Sequence, residues 1–414
     1  MSVSNTAAQE ARNLRLIQGL TYLMFFMFAM TTDAVGAIIP KLIPEFQLSM
    51  KAAAAFHYVP MAAIAIGAIM LGVLADRWGR KPTIVFGLAL YGISSLLFVA
   101  GNSFAAFVSL LAISGLGVSI FKVGALALVG DISSSTTDHT AQMNKVEGFF
   151  GVGAIVGPAI VAMLLRGSVS WKYLYAMASM LCGVLILVAL MVRYPNSTQR
   201  SEDSFSFGRA LQMMRDPYAL GFSLLIMLYV CVEVAIYVWM PTYLQGYSKG
   251  PAWLVAYSLS LFFALRAAGR FAGARLLRRF SWADVLGVFS FAIAGCFLGS
   301  LWGGPQLGAW LLPLSGLFMS VMYPTLNSKG ISCFERREHG AVAGVILFFT
   351  ACAAAAFPLA MGAVGDAFGS VKFGFVLATA FAVALFLALL CNRIAQPARE
   401  RLRARDRSEY ERTA

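Results

Sequence analysis

The sequence predicts an all-α membrane protein with twelve transmembrane helices in two six-helix bundles. Three observations carry that prediction. The 414 residues are 59% hydrophobic and only 12% charged, at a mean hydropathy of +0.76, whereas soluble domains carry roughly 25% charged residues. Apolar runs of about 20 residues, enough helix to cross ~30 Å of hydrocarbon, recur along the whole length. The longest polar gap falls midway and leaves six such runs on each side. The ten-residue alternation of a membrane barrel is absent from the sequence.

The first bundle is assigned to 1–192. Span one, 14–39, follows a short polar start without a small-residue cleavage site, so it reads as a retained helix. It carries Asp33 near its far end. Span two, 52–75, opens near His57, read as an interfacial or packed histidine, and ends in the turn 72-GVLADRWGRKP-82. Span three is 83–100. Span four, 104–130, holds 115-GLGVSIFKVGALALVGDIS-133, apolar enough for lipid yet with Lys122 near its middle. Span five, 140–165, carries Glu147 in 143-MNKVEGFFGVGAIVGP-158, and span six is 173–192.

A polar segment rich in charge, Ser and Pro, 193–217, reads as a cytoplasmic linker. The second bundle, 218–391, starts with span seven, 218–244, whose 229-YVCVEVAIYVWMPTYL-244 holds Glu233 and Tyr237. Span eight, 252–274, carries Arg266 and runs into 269-GRFAGARLLRRF-280, a weak echo of the turn after span two. Spans nine and ten are 283–302 and 307–328; the latter is broken in 316-GLFMSVMYPTLNSKG-330 at Pro324, ahead of Asn327. Spans eleven and twelve, 340–364 and 371–391, precede a basic tail at 392–414. Paired bundles of this kind place a binding site near mid-depth.

The formal net charge of +13 is distributed by side rather than in a nucleic-acid-binding patch. Loops on the side of the termini hold 21 Lys and Arg, while the opposite side holds six: Lys41, Lys51, Arg166, Lys172, Lys249 and Lys372. That asymmetry predicts cytoplasmic termini and a cytoplasmic (inner) membrane location. The six cysteines have no CxxC spacing and lie mostly in apolar runs, so neither a disulfide framework nor a metal site is expected. With scattered histidines and no placed nucleophile–base pair, an enzyme is not expected.

The turn 72-GVLADRWGRKP-82 is the most specific motif. It matches the G-x-L-A-D-R-x-G-R-K loop signature of the major facilitator superfamily, and the chain resembles that superfamily in span count and organisation. The resemblance implies that Gly72, Asp76, Arg77, Gly79 and Arg80 act as a conformational latch, with Arg77, Arg80 and Lys81 pairing across the two halves. Within the superfamily the chain is similar to the fucose permease-type sugar–proton symporters. Four stretches carry that likeness: 33-DAVGAIIPKLIPEFQLS-49, 143-MNKVEGFFGVGAIVGP-158, 229-YVCVEVAIYVWMPTYL-244 and 316-GLFMSVMYPTLNSKG-330. By that resemblance Asp33 occupies the position of the proton-coupling aspartate. The group's second carboxylate in span four is replaced here by the stretch Ile120, Phe121, Lys122.

Burial of a lone central lysine costs about 2.5–3.5 kcal/mol even on a mild insertion scale. Lys122 and Glu147 both lie ~10–12 Å from the cytoplasmic ends of consecutive spans, at 1.5 Å per residue. They are therefore expected to pair. Glu233 and Arg266, both near mid-depth, form a second expected pair, with Tyr237 one turn from Glu233 on the same face. The proton-coupling set is thus Asp33, Glu147 and Glu233; the substrate-binding set is Lys122, Tyr237, Arg266 and Asn327. The expected function is proton-coupled uptake of a small polar solute, a monosaccharide or an acidic sugar, by alternating access, with Lys122 and Arg266 leaning towards the acidic option. A proton-driven drug or metabolite exporter is the alternative, since 153-GAIVGP-158 resembles the antiporter signature G-x-x-x-G-P. No cofactor beyond an ion gradient is expected, with Na+ in place of H+ left open. The partners are the solute and membrane lipid, not nucleic acid, and the protein is expected to be a monomer.

Overall fold

The computed structural model of the chain describes residues 2–71, 78–132, 136–194, 213–334 and 338–410. Among these residues the regular structure is helical, without a strand. Spans one to six fall on Ser2–Thr32 with Val35–Glu45, Met50–Ala53 with Ala55–Leu71, Arg80–Leu97, Phe104–Ile132, Thr136–Arg166 and Tyr173–Met191. Span seven is Pro217–Tyr243, and span eight is Ala252–Ala256 with Ser258–Arg279. Spans nine and ten share Trp282–Met319, continued by Met322–Ser332, and the last two are His339–Ala367 and Val371–Ala395.

Nine stretches among the described residues are long and apolar enough to cross a membrane, and one of them, Trp282–Ser332, is 51 residues long. It contains two spans, because the chain turns at Gly304 (φ 60, ψ −159), followed by Pro305. Only glycine adopts such a backbone without strain. Spans three and eight are less apolar: Arg80 and Lys81 open the first turn of span three, and span eight carries Arg266, Arg270, Arg275, Arg278 and Arg279.

The chain forms two compact units, 1–48 with 55–200 and 49–54 with 201–414. In the first, glycines set the helix contacts. A Cβ on Gly115 would lie 2.7 Å from the Pro60 carbonyl of span two, and one on Gly117 2.7 Å from the Tyr91 amide of span three. Span four is thereby held between spans two and three. Gly153 and Gly157 similarly press span five onto the Phe26 and Met30 carbonyls of span one. Small residues permit this approach where lipid offers no hydrophobic drive between helices. One end of the unit is closed by a cluster of aromatic rings: Phe98 stacks on Tyr175 at 4.1 Å, and Trp171 stands edge-on to Phe107 at 5.2 Å.

In the second unit span seven is central. Tyr229 donates to the Met319 carbonyl (3.1 Å), Trp239 to that of Pro358 (3.1 Å) and Tyr243 to that of Ser300 (2.8 Å). Each aromatic ring thus buries its apolar body and satisfies its polar tip. Met319 lies at the break in span ten, and just beyond it Pro324 has no N–H to offer the Ser320 carbonyl. Residues 49–54 belong here too: the Met50 and Lys51 amides donate to the two carboxylate oxygens of Asp366, at 2.7 and 2.8 Å. A final helix, Arg399–Tyr410, is pinned by Arg401. Its guanidinium donates to the Cys333 carbonyl (2.8 Å) and to Asp216 (3.1 Å), which caps span seven through the Tyr218 amide. It also lies 4.5 Å from both the Tyr218 and Phe334 ring centres.

Candidate functional site

Two clusters of charge lie within the long helices, one in each unit. In the first unit, span one is interrupted at Asp33–Ala34: Ser2–Thr32 ends there and Val35–Glu45 resumes. Asp33 is half-buried at this break. Lys122 comes from span four and places its ammonium over two rings of span one, 5.0 Å from the centre of Phe28 and 5.7 Å from that of Phe25. Such cation–π contacts are worth roughly 0.5–2 kcal/mol. Glu147 and Asp33 are both within electrostatic reach of the same ammonium.

The expected close Lys122–Glu147 ion pair is not formed. Glu147 is exposed on its helix. The reason is packing order. Spans four and five are consecutive in sequence, but span five is pressed onto span one through Gly153 and Gly157. Tyr22 of span one stacks on Phe149 at 5.1 Å and hydrogen-bonds Gln142, so span one also supplies the polar neighbours on that side. Lys122 therefore meets span one first and senses Glu147 only at longer range.

In the second unit the expected pair does form. Arg266 Nη1 lies 2.5 Å from Glu233 Oε1, with side chains 19% and 9% exposed. Tyr229 and Tyr237 stand one turn to either side of Glu233. Tyr229 is fully buried, and Tyr237 packs against Phe263 with centroids 6.4 Å apart. Asn327 is half-buried on Met322–Ser332, outside that contact. Sequence reasoning missed Tyr229, although it sits four residues before Glu233 in the stretch that drew attention.

Of the latch residues, Gly72, Asp76 and Arg77 lie outside the described residues. Gly79 has φ 86 and begins Arg80–Leu97. Arg80 is buried and binds Asp131 at the end of span four, Nε to Oδ2 at 2.7 Å and Nη2 to Oδ1 at 3.4 Å. Lys81 donates to the carbonyls of Leu190 and Val192, at 2.7 and 3.3 Å. These contacts lie within the first unit, because the close crossing of spans three and four brings Asp131 beside the turn. Asp131 was the carboxylate to notice, at the end of the stretch containing Lys122.

The described helices meet a sequence that matches the profile of the Major Facilitator Superfamily over residues 21–358. The chain belongs to that superfamily. Among curated relatives, the glucose/galactose transporter of Brucella abortus is 25% identical, over 84% of this chain and 87% of that protein. The drug efflux pump JefA of Mycobacterium tuberculosis is 27% identical over 43% of this chain and 35% of its own length. Among solved structures, the nucleoside transporter NupG superposes with a TM-score of 0.75 at 15% identity, covering 91% of this chain and 99% of that one. The E. coli fucose:proton symporter FucP gives 0.60 at 20% identity, covering 94% and 98%. The transporter fold of this superfamily member is thereby established, and the chain is a multi-pass membrane protein.

Proposed function

We propose that this superfamily member takes up a neutral monosaccharide or related polyol by proton-coupled symport, through alternating access, in a cytoplasmic membrane with both termini inside. One observation carries the reading: the matching of charges in the two clusters. Arg266 is bound to Glu233 at 2.5 Å. Lys122 stands in the field of two carboxylates, Glu147 and Asp33. Arg266 is thus occupied by Glu233 and Lys122 shares the field of two carboxylates, which favours a solute without an acidic group. Asp33, at the break in span one, is the carboxylate we assign to the coupling proton.

Burying an uncompensated carboxylate in a dry site is expensive, so the unprotonated carrier resists occlusion. Protonation of Asp33, at the break in span one, removes that penalty and lets the loaded carrier reorient. Tyr237 and Asn327 supply an aromatic face and an amide suited to a hydroxylated ring. The glucose/galactose transporter that matches 84% of the chain supports the sugar class. The rival reading, export of drugs or metabolites, draws on relatives such as JefA that match 43% of it.

The test is uptake into proteoliposomes under an imposed proton gradient, acidic outside. Neutral hexoses should accumulate and compete, uronates and lipophilic cations should not, and replacing Na+ by choline should change nothing. Competition by lipophilic cations, or net export against the gradient, would overturn the proposal.

A further inference from the structure

Residues 49–54 link spans one and two, yet they pack with the second unit: the chain leaves the first unit after Leu48 and rejoins it at Ala55. Both flanks of this strap are held in the first unit by the aromatic cluster. Phe46 lies 5.9 Å from Phe107, and Phe56 stands edge-on to Trp171 at 5.7 Å. Between these anchors Gln47 (φ 51) turns the chain out of span one. The strap itself sits on the end of span eleven. Asp366 accepts from the Met50 and Lys51 amides at 2.7 and 2.8 Å, while the Ser49 hydroxyl accepts from the Ala52 amide at 3.1 Å. These are the first amides of span two, which have no partner within the helix, and a carboxylate suits that end of the helix dipole. The seat is shaped for close approach: a Cβ on Gly362 would lie 2.9 Å from the Lys51 nitrogen, and one on Gly365 2.6 Å from the Met50 sulfur.

We propose that residues 49–54 form a clasp, with Asp366 as its catch, which holds the carrier closed on the side away from the chain termini and releases when it opens there. This rests on the alternating-access reading above. Two features make the contact releasable. Asp366 is exposed, so water takes the place of the strap amides on the carboxylate when the strap lifts, and no polar group is left stranded. Ala52, Ala53 and Ala54 have no side-chain rotamers to freeze, so docking again carries little entropic penalty. Two further features make it specific. The charged carboxylate, gripping two successive amides, fixes the register of the strap, and the glycine seat admits backbone at a distance that any side chain would block. Because both flanks are anchored in the first unit, rocking of that unit pulls the strap off its seat.

The experiment uses the full chain in nanodiscs, its six cysteines changed to alanine, with spin labels attached at Lys51→Cys and Lys372→Cys. Both positions are exposed, one on the strap and one at the start of span twelve in the second unit. Pulsed dipolar spectroscopy should show a principal short distance, the docked strap, and a longer minor one. Asp366→Asn keeps the size of the side chain but removes its charge and one acceptor. It should shift the ratio about tenfold towards the longer distance, as loss of hydrogen bonds to a charged group produces. Gly362→Ala, which crowds the seat, should shift it the same way, and both variants should slow uptake in proteoliposomes. An unchanged distribution in Asp366→Asn would overturn the clasp, as would an unchanged one in Gly362→Ala if the first variant does not fold. Normal uptake with the strap released would overturn its part in the cycle. Distances that respond as expected in a protein that moves no hexose would instead uphold the clasp and overturn the sugar reading.

Discussion

The pair Glu233–Arg266 gives the most demanding prediction. At 2.5 Å and an effective dielectric of about 20, the two charges attract by about 6–7 kcal/mol. Desolvation of each ion costs several kcal/mol, so the intact pair contributes little net stability, whereas removing one partner strands the other and costs about 3–5 kcal/mol. Arg266→Met and Glu233→Gln should therefore each destabilise the protein by about that amount, and the double variant should recover most of the loss. Reversible unfolding in mixed detergent measures all four proteins and yields the coupling energy. Uptake should remain lost in the double variant, since the charge pair beside Tyr237 is gone even where stability returns. Single-variant losses that add within about 0.5 kcal/mol would refute the idea that the two charges act as one buried unit.

Other outcomes follow from the same structure. Asp33→Asn should abolish proton-driven accumulation but keep counterflow, because the side chain is then permanently neutral; full active uptake would contradict its coupling role. Lys122→Met should abolish uptake and leave a folded, monodisperse protein, since Asp33 and Glu147 lose the ammonium they share; normal transport would remove Lys122 from the site. Gly157→Ala should destabilise by about 1–3 kcal/mol through overpacking against the Met30 carbonyl. Gly183→Ala, with nothing near the added methyl, should be neutral or stabilising by about 0.5–1 kcal/mol. Thermal unfolding of the two glycine variants side by side checks both.

The spans were readable from sequence because every backbone polar group in lipid must be satisfied within a helix, which forces long apolar runs. Glu233 and Arg266 were readable too: counting residues from helix ends places both at one depth, and their helices are neighbours. The same counting failed for Lys122 and Glu147. Depth is a property of one helix, whereas adjacency depends on which glycine faces meet, and here Gly153 and Gly157 dock span five on span one. The break in span ten was signalled by Pro324. The break at Asp33 was not: Pro40 removes a bond to Gly36, three residues beyond Asp33, so no proline marks that site. The Arg80–Asp131 contact was hidden for a related reason, since the loop motif draws the eye to its own residues while its carboxylate partner ends another helix.

The seat of Arg401 bears on how the protein is handled. One guanidinium joins the carboxy-terminal extension to the start of span seven and the end of span ten, between two rings. Trimming the chain back to the last membrane helix would strip away this rivet and expose Tyr218 and Phe334 to solvent. An affinity tag or a fluorescent fusion is better appended beyond the extension than put in its place.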